Sequence, residues 1–227
     1  NTKTYKTIFK EKQLDELITK LNEKSVIAVD TETSSLNPQE ADLVGISLCY
    51  EANEAFYIPV GHTEKTELKK DIVLKKLKPL LEDPSIKKVG QNIKYDFIIF
   101  KNHGIELSSV EDTMLLSYTL DAGNNRHNMD TLSELHLGHK TISYKDLVGT
   151  GKKQLNFSEV DLKSATEYAA EDADITLRLY EVLSERVSKE KLEKIYEEFE
   201  KPMIKILSKL ESSGVKAVSY THLRAHE

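Results

Sequence analysis

Cysteine is almost absent: Cys49 is the one example in 227 residues. No internal disulfide can brace the fold, and a reducing, cytosolic setting is expected. Cys49 lies in an apolar, strand-like run and reads as core. No apolar run approaches the length of a membrane span and no signal peptide opens the chain, so no membrane partner is expected. Positive charge is not in excess either. The net charge of −6 argues against a broad electrostatic clamp on duplex nucleic acid. It leaves room for a site that takes a strand end through metal ions, which supply positive charge locally. The seven histidines show no zinc-protease spacing, and nothing near His136 and His139 completes a tetrahedral site. Gly149-Thr150-Gly151-Lys152 lacks the earlier glycine and the following hydroxyl residue of a phosphate loop. There is no internal repeat and no low-complexity segment, and the first residue is not Met, which fits a piece of something longer.

What is present is an ordinary globular composition, 39% hydrophobic and 31% charged. Val26-Ile27-Ala28-Val29 reads as a strand buried on both faces. Tyr5 to Phe9 reads as a short strand, followed by a helix with Leu14, Leu17, Ile18 and Leu21 at helical spacing. Leu43 to Tyr50 and Ala55 to Val60 predict a hairpin, Asp71 to Leu81 an amphipathic helix, and Lys87 to Gly90 a short strand. From Ile93 the pattern is helical, broken near Gly104, Gly123, Gly138 and Gly149, with final helices over 162–187 and 192–212. The Glu/Lys-rich run from Lys189 to Lys201 predicts a solvated helix face. The expected class is α/β, a mixed sheet flanked by helices with a helical C-terminal half.

The central strand ends in Asp30-Thr31-Glu32-Thr33. Strand side chains alternate, so Asp30 and Glu32 point the same way. Two like charges at the end of a buried strand repel and lose hydration, unless the strand has simply reached solvent. Asp96 falls in the first turn of an apolar helix, where a carboxylate also suits the helix dipole. On the helix from Leu162, Ala165, Tyr168, Ala169, Asp172, Ile175, Thr176, Leu179 and Leu183 share one stripe. Asp172 interrupts that stripe, Asp174 falls almost opposite, toward water, and Glu171 lies to the side. A salt bridge from elsewhere would also account for Asp172. Taken together, Asp30, Glu32, Asp96 and Asp172 form an oxygen-only set, which selects hard cations such as Mg²⁺ or Mn²⁺. Four carboxylates exceed what one Mg²⁺ needs and fit two ions about 4 Å apart, as in phosphoryl transfer.

Asp30-Thr31-Glu32-Thr33, Asn92-Ile93-Lys94-Tyr95-Asp96 and Tyr168-Ala169-Ala170-Glu171-Asp172 resemble the three motifs of the DnaQ-like, or DEDD, 3′–5′ exonucleases. The tyrosine four before the last aspartate marks the DEDDy branch. The closer resemblance is to the proofreading domain of bacterial family A DNA polymerases. Asn37 to Gly45, Lys78-Pro79-Leu80-Leu81-Glu82-Asp83, Val89-Gly90-Gln91-Asn92, Arg126-His127-Asn128-Met129-Asp130 and Gly151-Lys152-Lys153-Gln154-Leu155 carry that likeness, over about residues 5 to 216.

The resemblance implies a ribonuclease H-like fold over 1–212 and a truncated linker with a non-matching tail over 213–227. It implies Asp30, Glu32, Asp96 and Asp172 as ligands of two divalent cations, with Tyr168 orienting or helping to deprotonate the attacking water. Thr33, Gln91, Asn92, Tyr95 and Arg126 would contact the terminal nucleotide or its phosphates. Leu36 and Phe157 would wedge and stack the terminal bases, unless they are ordinary core. The implied partners are a single-stranded DNA 3′ end and a polymerase domain outside this chain, with the chain itself a monomer. Two other readings stay open: a free-standing RNase D-like RNA exonuclease and a catalytically silent structural module.

Overall fold

The computed structural model describes residues 3–64 and 66–214; of the expected C-terminal tail, residues 215–227 lie outside the described residues. Its centre is the apolar run expected to be a buried strand. Val26–Thr33 forms β2, with Ile27, Ala28 and Val29 wholly shielded from solvent. The hairpin also forms, as β3 (Leu43–Glu51) and β4 (Glu54–Pro59), turning at Asn53 with φ of 68°. The remaining strands are β1 (Thr4–Thr7), β5 (Lys87–Gly90) and β6 (Val110–Asp112). They assemble in the order β1-β4-β3-β2-β5-β6. β3 runs antiparallel to both β2 and β4, whereas β5 is parallel to β2 and β6 to β5.

One face of the sheet is covered by α1 (Glu11–Asn22), α2 (Lys70–Glu82) and α3 (Lys94–Asn102). Leu14, Ile27, Val29, Leu77, Phe97 and Phe100 meet in that core. Across the other face lies α7 (Leu162–Lys189), whose Ala170 and Ala173 pack on Ala28 of β2 and Ala55 of β4. Small side chains there let the helix approach the strands closely. The outer side of α7 is covered in turn by α4 (Thr113–Asp121) and α5 (Met129–Leu137). A short helix, α6 (Tyr144–Val148), and single 3₁₀ turns at Gly151–Lys153 and Phe157–Glu159 lead into α7. Among the described residues no helix is long and apolar enough to cross a membrane.

Two expectations change. Val110–Asp112 is a strand within the stretch read as helical; three residues give no period to detect. The last helical stretch is not continuous either. It comprises α8 (Glu193–Ile195), a π turn (Tyr196–Glu200) and α9 (Lys201–Ser213). The run from Lys189 to Lys201 is not simply a solvated face, because Tyr196 is buried and donates to Glu111 at 2.9 Å. Lys201 closes on the same carboxylate at 2.8 Å.

Candidate active site

Alternation along β2 sends Ala28, Asp30 and Glu32 toward α7, and Ile27, Val29 and Thr31 toward α3. On the α7 side, Asp30, Glu32 and Asp172 each offer a carboxylate oxygen within 4.8 Å of the others. Asp96 arrives from the opposite layer. It is buried, and its Oδ1 accepts from the backbone N–H of Thr31 at 2.9 Å and from the Thr31 hydroxyl at 2.5 Å. Asp30, Glu32, Asp96 and Tyr168 border a cleft of about 550 Å³.

Proton affinities record the crowding. Burial first, then repulsion from Asp172, raises Asp30 well above the ordinary carboxylate range. Burial raises Glu32 too, with Asp30, Asp172 and Asp96 adding to it. Asp96 is raised by burial and by Asp30, against the pull of its Thr31 hydrogen bonds. Burial lifts Asp172 to about 8, opposed by the neighbouring Tyr168 hydroxyl and reinforced by Glu171 and Asp130. Tyr168 is raised by burial, then by Asp172, Glu32 and Asp30, so its hydroxyl keeps its proton at neutral pH. Acids held this close with no counter-charge among the described residues are a poor arrangement for folding alone and a good one for a hard cation.

The sheet itself makes room for this group. Glu32 pairs with Gly45 on β3, and the register slips between Glu32 and Thr33, a bulge that re-aims the strand end. A Cβ on Gly45 would lie 2.0 Å from the Tyr57 hydroxyl oxygen. The tyrosine ring therefore occupies the place of the absent side chain, and its hydroxyl meets His62 Nε2 at 2.7 Å. Burial first, then the charges of Glu32 and Asp30, raises Tyr57 well above the ordinary phenol range.

The expected nucleotide contacts divide. Thr33, Leu36, Gln91, Asn92 and Tyr95 all border the cleft. Tyr95 donates to the Ser35 carbonyl at 2.6 Å and is hydrogen-bonded to the Thr33 hydroxyl. Asn92 turns the chain from β5 into α3 with φ of 58°, a left-handed conformation uncommon without glycine. Asp112 holds that turn, accepting from the N–H groups of Asn92 and Ile93, each at 3.0 Å. Thr113 donates to Gln91 Oε1 at 2.5 Å, and Gln91 Nε2 donates to the His127 carbonyl at 2.7 Å. Leu36 is 96% exposed and so is not core.

Arg126 is exposed and does not border the cleft. Phe157 is 1% exposed and is core: it lies beneath Tyr144, their rings 6.4 Å apart and 4° from parallel. Tyr144 also meets Tyr168 edge-on at 5.8 Å and borders the cleft at 40% exposure. Among these residues Tyr144 is the aromatic with an open face. It stands in a five-residue helix, too short to give a pattern in sequence.

The helical stripe also needs correction. Asp174 does not reach water; it is fully buried, accepting from the Tyr5 hydroxyl at 2.8 Å and the Asn53 N–H at 2.7 Å. Glu171 is buried as well, between Lys3 at 2.8 Å, His139 at 2.9 Å and the Ile142 N–H at 2.6 Å. Burial alone would raise Glu171, but these partners hold it below its ordinary range. A single-stripe reading assumes one buried face, and α7 is buried on nearly all sides.

Known proteins agree with this architecture. A family profile described as 3′–5′ exonuclease matches residues 5–188. DNA polymerase I of Rhizobium leguminosarum is 42% identical over 93% of the chain, and that of Pseudomonas aeruginosa is 41% identical over 92%. The chain spans 23% and 24% of those relatives, about a quarter of their length. Among solved structures, Brucella melitensis NrnC bound to pGG is 21% identical, covers 93% of both chains and superposes with a TM-score of 0.68. A second structure of that protein, with bound Mg²⁺, gives 0.66. At that identity the likeness is one of fold: a mixed ribonuclease H-like sheet between helical layers. With the profile covering most of the chain, the chain belongs to the 3′–5′ exonuclease family carried by DNA polymerase I.

Proposed function

We propose that the chain removes nucleotides from single-stranded or frayed DNA 3′ ends, as the proofreading part of a DNA polymerase. The observation that carries this reading is the convergence of Asp30, Glu32 and Asp172 at a cleft edge, with Asp96 entering from the other side of the sheet. These four carboxylates would hold two divalent cations, Mg²⁺ or Mn²⁺. The Mg²⁺ in a structural neighbour, Brucella NrnC, supports that choice. Bound cations would supply a more acidic attacking water and charge neutralisation at the phosphate.

The chain's own residues do the rest. Tyr168, protonated and beside Asp172, orients the attacking water. Water oxygen bonds to phosphorus as the bond to the 3′ oxygen of the penultimate nucleotide breaks. A nucleoside 5′-monophosphate leaves, and the shortened strand keeps a 3′ hydroxyl. Leu36 wedges between terminal bases, and Tyr144, with Phe157 beneath it, offers a ring for stacking, which tolerates any sequence. Thr33, Gln91, Asn92 and Tyr95 hold the last nucleotide, and Arg126 meets a phosphate further along the strand. A mismatched end costs less to unpair, so a site that takes unpaired ends removes errors first.

The test is trimming of a 5′-labelled single strand with Mg²⁺ or Mn²⁺. Asp172→Ala should lower the rate by about 10²–10³ or more, the scale of losing a main electrostatic stabiliser. Undiminished trimming by that variant would remove Asp172 from the mechanism. A wild-type chain that trims nothing would favour a silent module, and one that trims RNA in preference to DNA would favour an RNase D-like enzyme.

A further inference from the structure

We propose that Asn156 is a positioning residue: it fixes Leu36 across the cleft from Tyr144 and thereby strengthens the preference for unpaired over paired 3′ ends. This rests on reading the cleft as a 3′-end site. The argument starts from Leu36 itself. At 96% exposure its side chain packs against almost nothing, so nothing it touches can hold it in place. An apolar wedge so placed works only if its backbone is held.

Hydrogen bonds hold that backbone, one of them local, from the Thr33 hydroxyl to the Ser35 carbonyl at 3.1 Å. The Ser34 N–H donates to the Asp42 carbonyl at 3.0 Å, and the Asp42 N–H returns to Ser34 Oγ at 2.9 Å. Tyr95 takes the Ser35 carbonyl from the α3 side. From the segment that carries Phe157, Asn156 Nδ2 donates to the Ser34 carbonyl at 2.9 Å across 122 positions of sequence. Asn156 is itself anchored. Its Oδ1 accepts from the Ser158 N–H at 3.1 Å and hydroxyl at 2.9 Å, and its N–H donates to Glu159 Oε2 at 2.8 Å. The next residue, Phe157, is the buried support of Tyr144. One amide side chain thus joins the wedge segment to the aromatic wall, and its two ends do separate work: Oδ1 caps the turn and Nδ2 makes the crossing.

That division supplies the experiment. Asn156→Ser and Asn156→Asp both keep a capping oxygen. The aspartate cannot donate, and serine is too short to cross. With single-stranded DNA, both should raise KM roughly three- to tenfold, the scale of one lost hydrogen bond, with kcat within about twofold. The ratio of kcat/KM for single-stranded over fully paired ends should fall by a similar factor. Glu159→Ala, which loosens the turn but spares the crossing, should stay near wild type. Unchanged KM and unchanged end preference in Asn156→Ser would overturn the proposal, as would an equal loss in Glu159→Ala. Amide exchange at Ser34 and Asp42, which needs no nuclease activity, should quicken in Asn156→Ser. If the wild-type chain trims nothing, the functional reading fails on its own account, while unaltered exchange in Asn156→Ser would refute the tie.

Discussion

Glu171, Asp172 and Asp174 lie within one turn of α7, and each has a different set of neighbours. Glu171 and Asp174 are buried with donors on hand; Asp172 has one hydroxyl and several like charges. Opposite mutational outcomes follow. Asp174→Asn puts an amide where Tyr5 and Asn53 both donate, at a cost of about 1–3 kcal/mol. For a domain of this size that is a fall in Tm of a few to about 10 °C. Asp172→Asn should instead raise Tm of the ion-free protein at pH 8, since it removes a repelled charge. Thermal melts in chelator separate the two. Asp172 was legible because it breaks an apolar stripe beside a tyrosine. The role of Asp174 was not, because its partners Tyr5 and Asn53 are 169 and 121 positions away and no local pattern points to them.

At the scale of elements, α7 decides where the site forms. Ala170 and Ala173 set its distance from β2, and Asp172 sits between them in sequence. Ala173→Leu should cost about 1–3 kcal/mol through overpacking. It should also lift Asp172 away from Asp30, so exonuclease activity should fall more than the change in Tm accounts for; comparing kcat with the melt at one temperature checks this. The strand–helix order was readable because β2 to β5 and α7 have clear periods and turn signals. The bounds of β5 came out as expected, and the breaks near Gly104, Gly123, Gly138 and Gly149 coincide with positive φ. What escaped reading was short or conditional on packing. β6 has three residues, α6 has five, and the π turn opens at Tyr196, whose partner Glu111 lies 85 positions away.

For the whole molecule, the acid cluster links stability to pH and to cations. Asp172 shifts from 3.8 to about 8, upward on folding. A raised carboxylate contributes its stability fully below the unfolded value and loses it as pH rises through the folded one. The ion-free protein should therefore become less stable from about pH 4 to pH 8. Mg²⁺ or Mn²⁺ should offset this, raising Tm by about 5–10 °C at a hundredfold excess over Kd, and by more at pH 8 than at pH 6. Melts with and without cation at both pH values give the answer; an equal gain at both would disconnect the cluster from the ion.

Acids that reach one cleft from two sides of a sheet have a consequence in time. Asp30 leaves the ribosome long before Asp172, and Asp96 waits in a different layer from either. A growing polypeptide therefore cannot gather Asp30, Glu32 and Asp172 until its longest helix has been made and laid down.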